Sequence, residues 1–491
     1  MKTQKRYLIT YKDDKISIDE ATKVLGIKKD RCKDGVACMT SENATNEEDF
    51  TNEEDVLHFE ELGISLIDLS DEQADNLSKK GEILAVEEDE EMFALNSSES
   101  TESSENEDIK FDEFFNDKEE LFIEDFQYPI DNIDSSFQKG YDKALLDSFN
   151  FFLELNQKIK SNGNNSIIRS ENLDIPNLYT GPLQSSQNIP WNINLINAPE
   201  AWKRGITGRG INVAVLDTGI ADHPDLRISG RVSYVRGSSF TDLHGHGTHC
   251  AGIIAARNLS NGVVGVAPNS RIFAVKVLGD NGRGSTSSVI AGMGWCIRNN
   301  IDIASMSLGA NRGPSTGYIN AVKRCHSEGV LVIAAAGNSY GTNFPWVGQP
   351  ANSADARLYH SNLDISRPIA VGSINQGKNI AGSSSRGPAR SFVGWNQVSC
   401  VAPGVSINST SLANGYRLDS GTSMACPHVA GLAALIIQKY PRLRRINIPG
   451  VNSIISYTIK RRILTTCNSL ETNGNNITYG YGLINCDLAT R

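Results

Sequence analysis

VAVLDTGI (213–220) reads as an apolar strand that ends on a carboxylate, Asp217, and a Thr-Gly turn. Four more runs share its texture: RIFAVKVL (271–278), IDIASMSL (301–308), VLVIAAAG (330–337) and RPIAVGSI (367–374), with helical stretches between them. Runs that are apolar on both faces and separated by helices predict an α/β domain, a mostly parallel sheet flanked by helices. Two further strings carry chemistry. HGHGTHCAG (244–252) holds His246, and SGTSMACPHVAG (420–431) opens a helix and holds Ser423. With Asp217 they supply a nucleophile, a base and a carboxylate to orient the base. A serine hydroxyl is too weak an acid to attack an amide unaided, so a histidine must take its proton and a carboxylate must fix that histidine's tautomer.

Outward from these strings, the chain divides by composition. At 491 residues it exceeds what one hydrophobic core serves, so two or more folding units are expected. Residues 1–95 alternate short strands and capped helices, KRYLITYK, SIDEATKVLGI, ISLIDLS (64–70), DEQADNLSKKG and EILAVEED, and predict a small α+β unit. The polar stretch from Cys32 to about residue 55 reads as a loop insertion within it. Residues 96–188 are acidic and of low complexity, as in SSESTESSENED, and read as a linker with one or two weak helices such as KALLDSFNFFLELNQKI. Residues 189–491 hold the apolar runs. Charge follows the same division: residues 1–190 carry 19 Lys and Arg against 44 Asp and Glu, and the rest carries 28 against 13. An acidic segment facing a basic domain predicts docking that weakens with salt.

No basic, aromatic-interleaved groove for nucleic acid stands out, and no run of about 18 apolar residues occurs, so neither nucleic acid nor membrane is an expected partner. A monomer is expected. Met1 leads into the polar-alternating KTQKRYLITYK without a secretory apolar core, which leaves the cytoplasm, or secretion after a trimmed signal, as the expected location. Nine cysteines cannot all pair and lack metal-binding spacings, so most are expected as free thiols, with Cys467–Cys486 the one candidate disulfide.

Residues 189–491 resemble the catalytic domain of the subtilisin-like serine proteases, on the strength of HGTH together with GTSMACPHVAG and of the chain order Asp, His, Ser. The resemblance implies a serine endopeptidase working through an acyl-enzyme, with polypeptides as substrates. Asp217 would orient the base, His246 would be general base and acid, and Ser423 the nucleophile. Asn338, which ends AAAGN after a buried strand, would give the oxyanion-hole amide beside the backbone N–H of Ser423, placed just before a helix. Ser307, Leu308 and Gly309 in SMSLG, with Ala335 and Gly337 in AAAG, resemble the walls of the S1 pocket and imply an apolar preference. Gly282 and Gly284 in GDNGRGST resemble the strand edge that pairs with an extended peptide. Gln349-Pro350 sits where the family often has a cis proline. ARNLSNGVVGVAP (256–268) resembles a calcium loop and implies a structural Ca2+ held by Asp225 and Asn261, although Leu259 stands where a side-chain oxygen belongs.

Residues 1–95 resemble the family's prodomain, an intramolecular inhibitor and chaperone, with VEEDEEMFAL (86–95) as its carboxyl end. That likeness implies Leu95 as P1, Met92 as P4 and self-processing between Leu95 and Asn96. The 96–188 linker departs from the family pattern and is expected to lie across the basic protease surface. His244 reads as a loop residue, His249 as a packed helix residue, His428 as structural, Met424 as packing behind the serine, and Ser420 as without a catalytic role. Three rival readings stand beside this one: a peptide-binding pseudoprotease, an aspartic protease using Asp217 and Asp419, and a metallohydrolase built on His244, His246 and His249.

Overall fold

Seven parallel strands form the central sheet, and the computed structural model describes them within residues 4–39, 56–95, 189–259, 262–355, 366–387, 396–446, 451–470 and 477–491. The chain divides into two units, one combining Met1–Ser100 with Leu183–Arg491 and the other, Thr101–Pro182, lying outside the described residues together with the expected linker helices.

The N-terminal region runs β1 (Lys5–Tyr11), α1 (Ile18–Leu25), β2 (Cys32–Asp34), β3 (Val56–Phe59), β4 (Ile64–Leu69), α2 (Asp71–Ser78), β5 (Ile83–Glu88) and β6 (Glu91–Ala94). Both helices start on capping boxes. Ser17 and Glu20 exchange bonds at α1, as do Ser70 and Gln73 at α2, and Gly26 ends α1 in the left-handed region. The sheet order is β2-β3-β4-β1-β5. β2 opens the stretch expected as a polar loop, which is too polar to show a strand period, and β3 falls where no element is expected: four residues are too few to show a period, and His58 in their middle looks polar. Burial of β1 splits by parity. Tyr7, Ile9 and Tyr11 pack with Ile16, Ala21, Leu69 and Leu77 in a core of the unit's own, whereas Leu8 joins Leu57, Phe59, Leu62 and Leu66 in the core shared with residues 189–491. Both faces of this small sheet are therefore covered, and each buried Leu, Ile or Phe contributes about 1.5–3 kcal/mol.

The larger domain supplies β7 (Asn212–Asp217), β8 (Ile228–Ser233), α3 (His246–Ala255), β9 (Arg271–Lys276), β10 (Arg283–Ser285), α4 (Thr286–Arg298), β11 (Ile303–Met306), β12 (Leu308–Gly309), α5 (Thr316–Ser327), β13 (Leu331–Ala335), β14 (Ile369–Ile374), β15 (Cys400–Pro403), the hairpin β16 (Ile407–Thr410) and β17 (Tyr416–Asp419), α6 (Thr422–Lys439) and α7 (Val451–Thr465). The sheet order β15-β14-β13-β11-β7-β9-β8 puts β7 where the winding reverses. A crevice opens at the carboxyl ends of strands at such a switch point, and Asp217 is the last residue of β7. All five apolar runs of the sequence are strands of this sheet. The Gln349-Pro350 bond is cis, as expected. Cys467 and Cys486 are not joined: both are free, the Cys467 thiol donates to Ile463 O at 3.3 Å and lies against Cys400 instead. Among the described residues no helix is long and apolar enough to cross a membrane.

The N-terminal sheet docks on α4 and α5 through their amino ends, where backbone N–H groups lack partners within the helix. Glu87 accepts from Thr316 N (2.9 Å) and Gly317 N (2.8 Å) at the start of α5. Asp89 accepts from Ser287 N (2.8 Å) and Ser287 Oγ (2.6 Å), and Glu90 O accepts from Thr286 N (2.8 Å), at the start of α4. Arg298 grips both oxygens of Asp34 and pairs with Glu61, Arg312 pairs with Glu90, Arg283 with Glu91 and Lys323 with Asp14.

Within the N-terminal unit, His58 is fully buried; its Nε2–H donates to Ile16 O at 2.8 Å and its Nδ1 faces Ser65 Oγ at 2.9 Å, which in turn meets the Tyr11 hydroxyl at 2.9 Å. Burial holds its pKa below the ordinary value despite Asp34, Glu60 and Glu61 nearby. A depressed histidine pKa means that the stability it contributes is present above the unfolded value of about 6.5 and is lost as pH falls below it. Amide exchange in β1 and β4, corrected for intrinsic rate and followed in the full chain carrying Ser423→Ala, should accelerate between about pH 6.5 and 5. His58→Gln should flatten that dependence.

Candidate active site

Asp217, His246 and Ser423 are all buried at the carboxyl edge of the sheet, each delivered by a different element. β7 ends on Asp217. A left-handed Gly245 (φ 90°) turns the chain into α3, whose first residue is His246. Its Nδ1 meets Asp217 Oδ1 at 2.7 Å, and the same oxygen accepts from Thr218 N at 2.7 Å. A carboxylate there requires the hydrogen on Nδ1, which leaves Nε2 as the basic nitrogen. Burial opposes charge on this ring, but Asp217, through its charge and hydrogen bond, with Asp419 and Asp242 adding to it, raises the pKa above the ordinary histidine value overall. Cys250, one turn on, brings its sulfur within 4.8 Å of ligand atoms of both residues. Burial pushes this thiol well up, which keeps it protonated and inert.

The helix α6 begins at Thr422, so Ser423 lies inside its first turn rather than just before it. Pro427, four residues on, has no N–H, and the Ser423 carbonyl is left without its helical partner. Ser307 Oγ donates to that carbonyl at 2.9 Å and Cys250 Sγ approaches it at 3.5 Å. In return the Ser423 hydroxyl donates to Ser307 O at 3.0 Å rather than to His246. The Ser423 hydroxyl and His246 Nε2 are thus not joined in this state, in which the cleft is filled.

What fills it is β6. It lies between β10 and β12, antiparallel to both, with Arg283 opposite Phe93, Gly284 opposite Met92, and Leu308 opposite Ala94. Ala94 N donates to Gly282 O at 2.9 Å and Leu95 N to Ser307 O at 3.3 Å. Gly282, Gly284, Ser307, Leu308 and Gly309 are therefore brought together along one extended strand, and Leu95 ends it beside the serine. The Leu95 carbonyl accepts from Asn338 Nδ2 at 2.7 Å. Asn338 cannot turn: Thr422 N (2.9 Å) and Thr422 Oγ1 (3.1 Å) both donate to its Oδ1, which leaves its NH2 aimed at residue 95. Ala335 ends β13, and Gly337, whose N–H donates to Thr422 Oγ1 at 3.1 Å, delivers Asn338. Gly421 (φ 148°) must be glycine, because a Cβ there would lie 2.8 Å from Asn338 Nδ2 and 2.9 Å from Leu95 O.

This arrangement fits acyl transfer: an extended chain pinned on both edges, a carbonyl polarised by an oriented amide, and a hydroxyl at the amino end of a helix. A profile of the Subtilase family matches residues 208–482. The chain belongs to the subtilase family. Over 306 residues it is 44% identical to "Alkaline elastase YaB" of Bacillus sp. (strain YaB), covering 62% of this chain and 71% of that one. "Thermostable alkaline protease" of Halalkalibacterium halodurans is 43% identical over 309 residues, 62% of this chain and 74% of its own, and "Subtilisin BL" of Lederbergia lenta 42% over 307, 62% and 100%. The protein is a serine endopeptidase.

Other histidines of this subtilase have structural duties. His249 Nε2–H donates to Ile407 O (3.1 Å) and Arg417 O (3.0 Å), tying α3 to the β16–β17 hairpin, and burial lowers its pKa to about 4. His428 bonds Met424 O and Asn192 Nδ2, both at 2.8 Å. The aspartic protease reading fails, since Asp217 serves His246 while Asp419 accepts from Ser420 N and Arg417. His244 sits beside Gly282, its ring 6.2 Å from that of His246, and the two do not share a metal site. Of the two expected calcium ligands, Asp225 is described, and each of its oxygens already has a partner. Asp225 spends Oδ1 on Leu259 N (2.6 Å) and Oδ2 on the Tyr416 hydroxyl (2.8 Å), and Leu259 turns an apolar, 50% exposed side chain to solvent. Asn261 and Asn96 lie outside the described residues.

Thr422 and Gly421, which hold and border Asn338, are residues of this arrangement that the sequence reading missed. Pro427 was the available signal, since a proline four residues after Ser423 announces an orphaned carbonyl. Gly309 generates an expectation: a Cβ there would lie 3.0 Å from Leu95 Cδ1 and 2.6 Å from Gln349 O. Gly309→Val should cut kcat/KM for leucyl against alanyl P1 substrates by roughly tenfold or more, measured on paired peptide substrates; an unchanged ratio would place the P1 pocket elsewhere.

Proposed function

We propose that this endopeptidase is made as a self-inhibited precursor in which residues 1–95 act as prodomain, intramolecular inhibitor and chaperone, and that it releases itself by cutting between Leu95 and Asn96. The observation that carries this reading is the Leu95 carbonyl at 2.7 Å from Asn338 Nδ2, at the end of a strand paired on both sides. In the reaction, Ser423 turns from Ser307 O toward His246 Nε2 and attacks the carbonyl carbon while His246 takes its proton. Asp217 holds the ring and stabilises the imidazolium. Negative charge grows on the carbonyl oxygen, where Asn338 Nδ2 and the Ser423 N–H receive it. His246 then protonates the leaving amine of residue 96, and water hydrolyses the acyl-enzyme by the same route reversed. Polypeptide substrates follow the path of β6, with Met92 and Leu95 standing for P4 and P1 and an apolar P1 preferred.

The reading is tested by size and terminus mapping. The unaltered chain should yield a fragment ending at Leu95, whereas Ser423→Ala should remain whole and lose turnover by roughly 10⁶-fold. Asn338→Ala should retain KM and lose about 10²–10³-fold in kcat, the magnitude of one oxyanion donor. Cutting by the Ser423→Ala chain, or a wild-type fragment ending elsewhere, would contradict the proposal. Because a raised His246 pKa must be crossed before the base is free, the acidic limb of kcat should have its midpoint above about pH 6.5.

A further inference from the structure

Asp242 lies in the loop before α3 and is buried, yet the relay described above does not use it. Its carboxylate gathers five donors. Oδ1 accepts from Thr218 Oγ1 (2.9 Å), His244 N (3.0 Å) and Gly245 N (2.8 Å), and Oδ2 from Thr248 N (2.9 Å) and Thr248 Oγ1 (2.5 Å). Two of its partners border the relay. Thr218 follows Asp217, and the hydroxyl it donates to Asp242 also accepts from Gly247 N at 3.0 Å, the residue after His246. One continuous network thus joins the turn after β7 to the first turn of α3, whose opening N–H groups have no helical partners of their own.

We propose that Asp242 is a positioning residue for the reaction: it locks the turn carrying Asp217 to the helix end carrying His246, and its negative charge favours the imidazolium that forms when Ser423 gives up its proton. The inference rests on His246 being the base. The 2.7 Å contact between His246 and Asp217 bridges two elements that share no backbone ladder, so its length is set by whatever fixes one turn against the other. Asp242 and Thr218 do that. An asparagine cannot replace the carboxylate, because whichever way it turns its NH2 faces buried N–H donors, at Thr248 on one side or at His244 and Gly245 on the other. A mere helix cap would be worth stability alone. Asp242 differs by standing among the charges around His246. Asp217 reaches the ring from β7 and Asp419 from β17, while His249 and Cys250 come from its own helix and His244 from the preceding loop. Asp242 is the third carboxylate of that set and adds to the raised affinity of the ring for a proton.

The test uses Asp242→Asn, Thr218→Val and His246→Ala in the full-length chain, with kcat and KM for a small peptide measured from about pH 5 to 9, competent sites counted with a serine-directed phosphonylating reagent, and Tm recorded. Asp242→Asn and Thr218→Val should both lower kcat by about 10- to 100-fold with KM within about twofold. Only Asp242→Asn should also move the acidic limb, to lower pH by about half a unit or more, because Thr218→Val breaks the bridge and keeps the charge. An Asp242→Asn enzyme with lowered Tm but unchanged kcat and acidic limb would overturn the proposal and leave Asp242 a helix cap. If Asp242→Asn does not accumulate, Thr218→Val decides: reduced kcat at wild-type Tm supports the bridge, unchanged kcat overturns it. Activity retained by His246→Ala would instead overturn the assignment of the base itself.

Discussion

The helix that carries Ser423 has one hydrogen bond missing, and the cleft is organised around the gap. Pro427 leaves the Ser423 carbonyl without a helical donor, and an unpaired buried carbonyl costs about 1–3 kcal/mol. Ser307 supplies the donor, and through its own carbonyl it also receives the Ser423 hydroxyl and the N–H of Leu95. A single residue between β11 and β12 therefore fixes the serine in depth and sets the height at which an extended chain lies against it. Thr422, one residue earlier, does the same for the Asn338 amide by clamping its oxygen. The Ser423 hydroxyl, the Asn338 amide and the bound strand keep their relation because all three are tied to the same first turn of α6.

Occupation of this cleft is secured away from it. Exposed ion pairs are each worth only about 0.2–1 kcal/mol and fall with salt, so Arg312–Glu90, Arg283–Glu91 and Lys323–Asp14 contribute modestly. Glu87 and Asp89 do more, because they satisfy otherwise unpartnered N–H groups at the amino ends of α4 and α5, at about 1 kcal/mol for each cap. Buried apolar contact from Leu8, Phe59 and Leu62 adds a part that salt does not weaken. The docking surface thus holds β6 in register on β10 and β12 while the reactive bond sits at its far end.

Much of this was legible because the chemistry is local in sequence. Asp217, His246 and Ser423 lie in short strings whose residue types have few other uses together, and the apolar runs named the strands of a parallel sheet. Leu95, Gly282 and Gly309 were placed by the likeness of VEEDEEMFAL, GDNGRGST and SMSLG to family strings. Features that depend on distant pairing were not legible. β3 is four residues long and shows no period. Glu87 and Asp89 read only as the end of the strand EILAVEED, since nothing near them in sequence reveals a helix end to cap. Cys467 and Cys486 invited pairing by proximity in the chain, whereas the fold sets Cys467 against Cys400. Asp225 stands at an expected ligand position, and what the sequence did not reveal is that its oxygens also accept from Leu259 N and from Tyr416, which lies 191 residues away.

The central claim is that the N-terminal region presents its own Leu95 carbonyl to the Asn338 amide. A crystal structure of the full-length Ser423→Ala chain measures this most directly. The account requires β6 between β10 and β12, with Leu95 O within hydrogen-bonding distance of Asn338 Nδ2 and His246 Nδ1 on Asp217. A cleft filled by another segment, or Asn338 turned so that its oxygen faces residue 95, would contradict it.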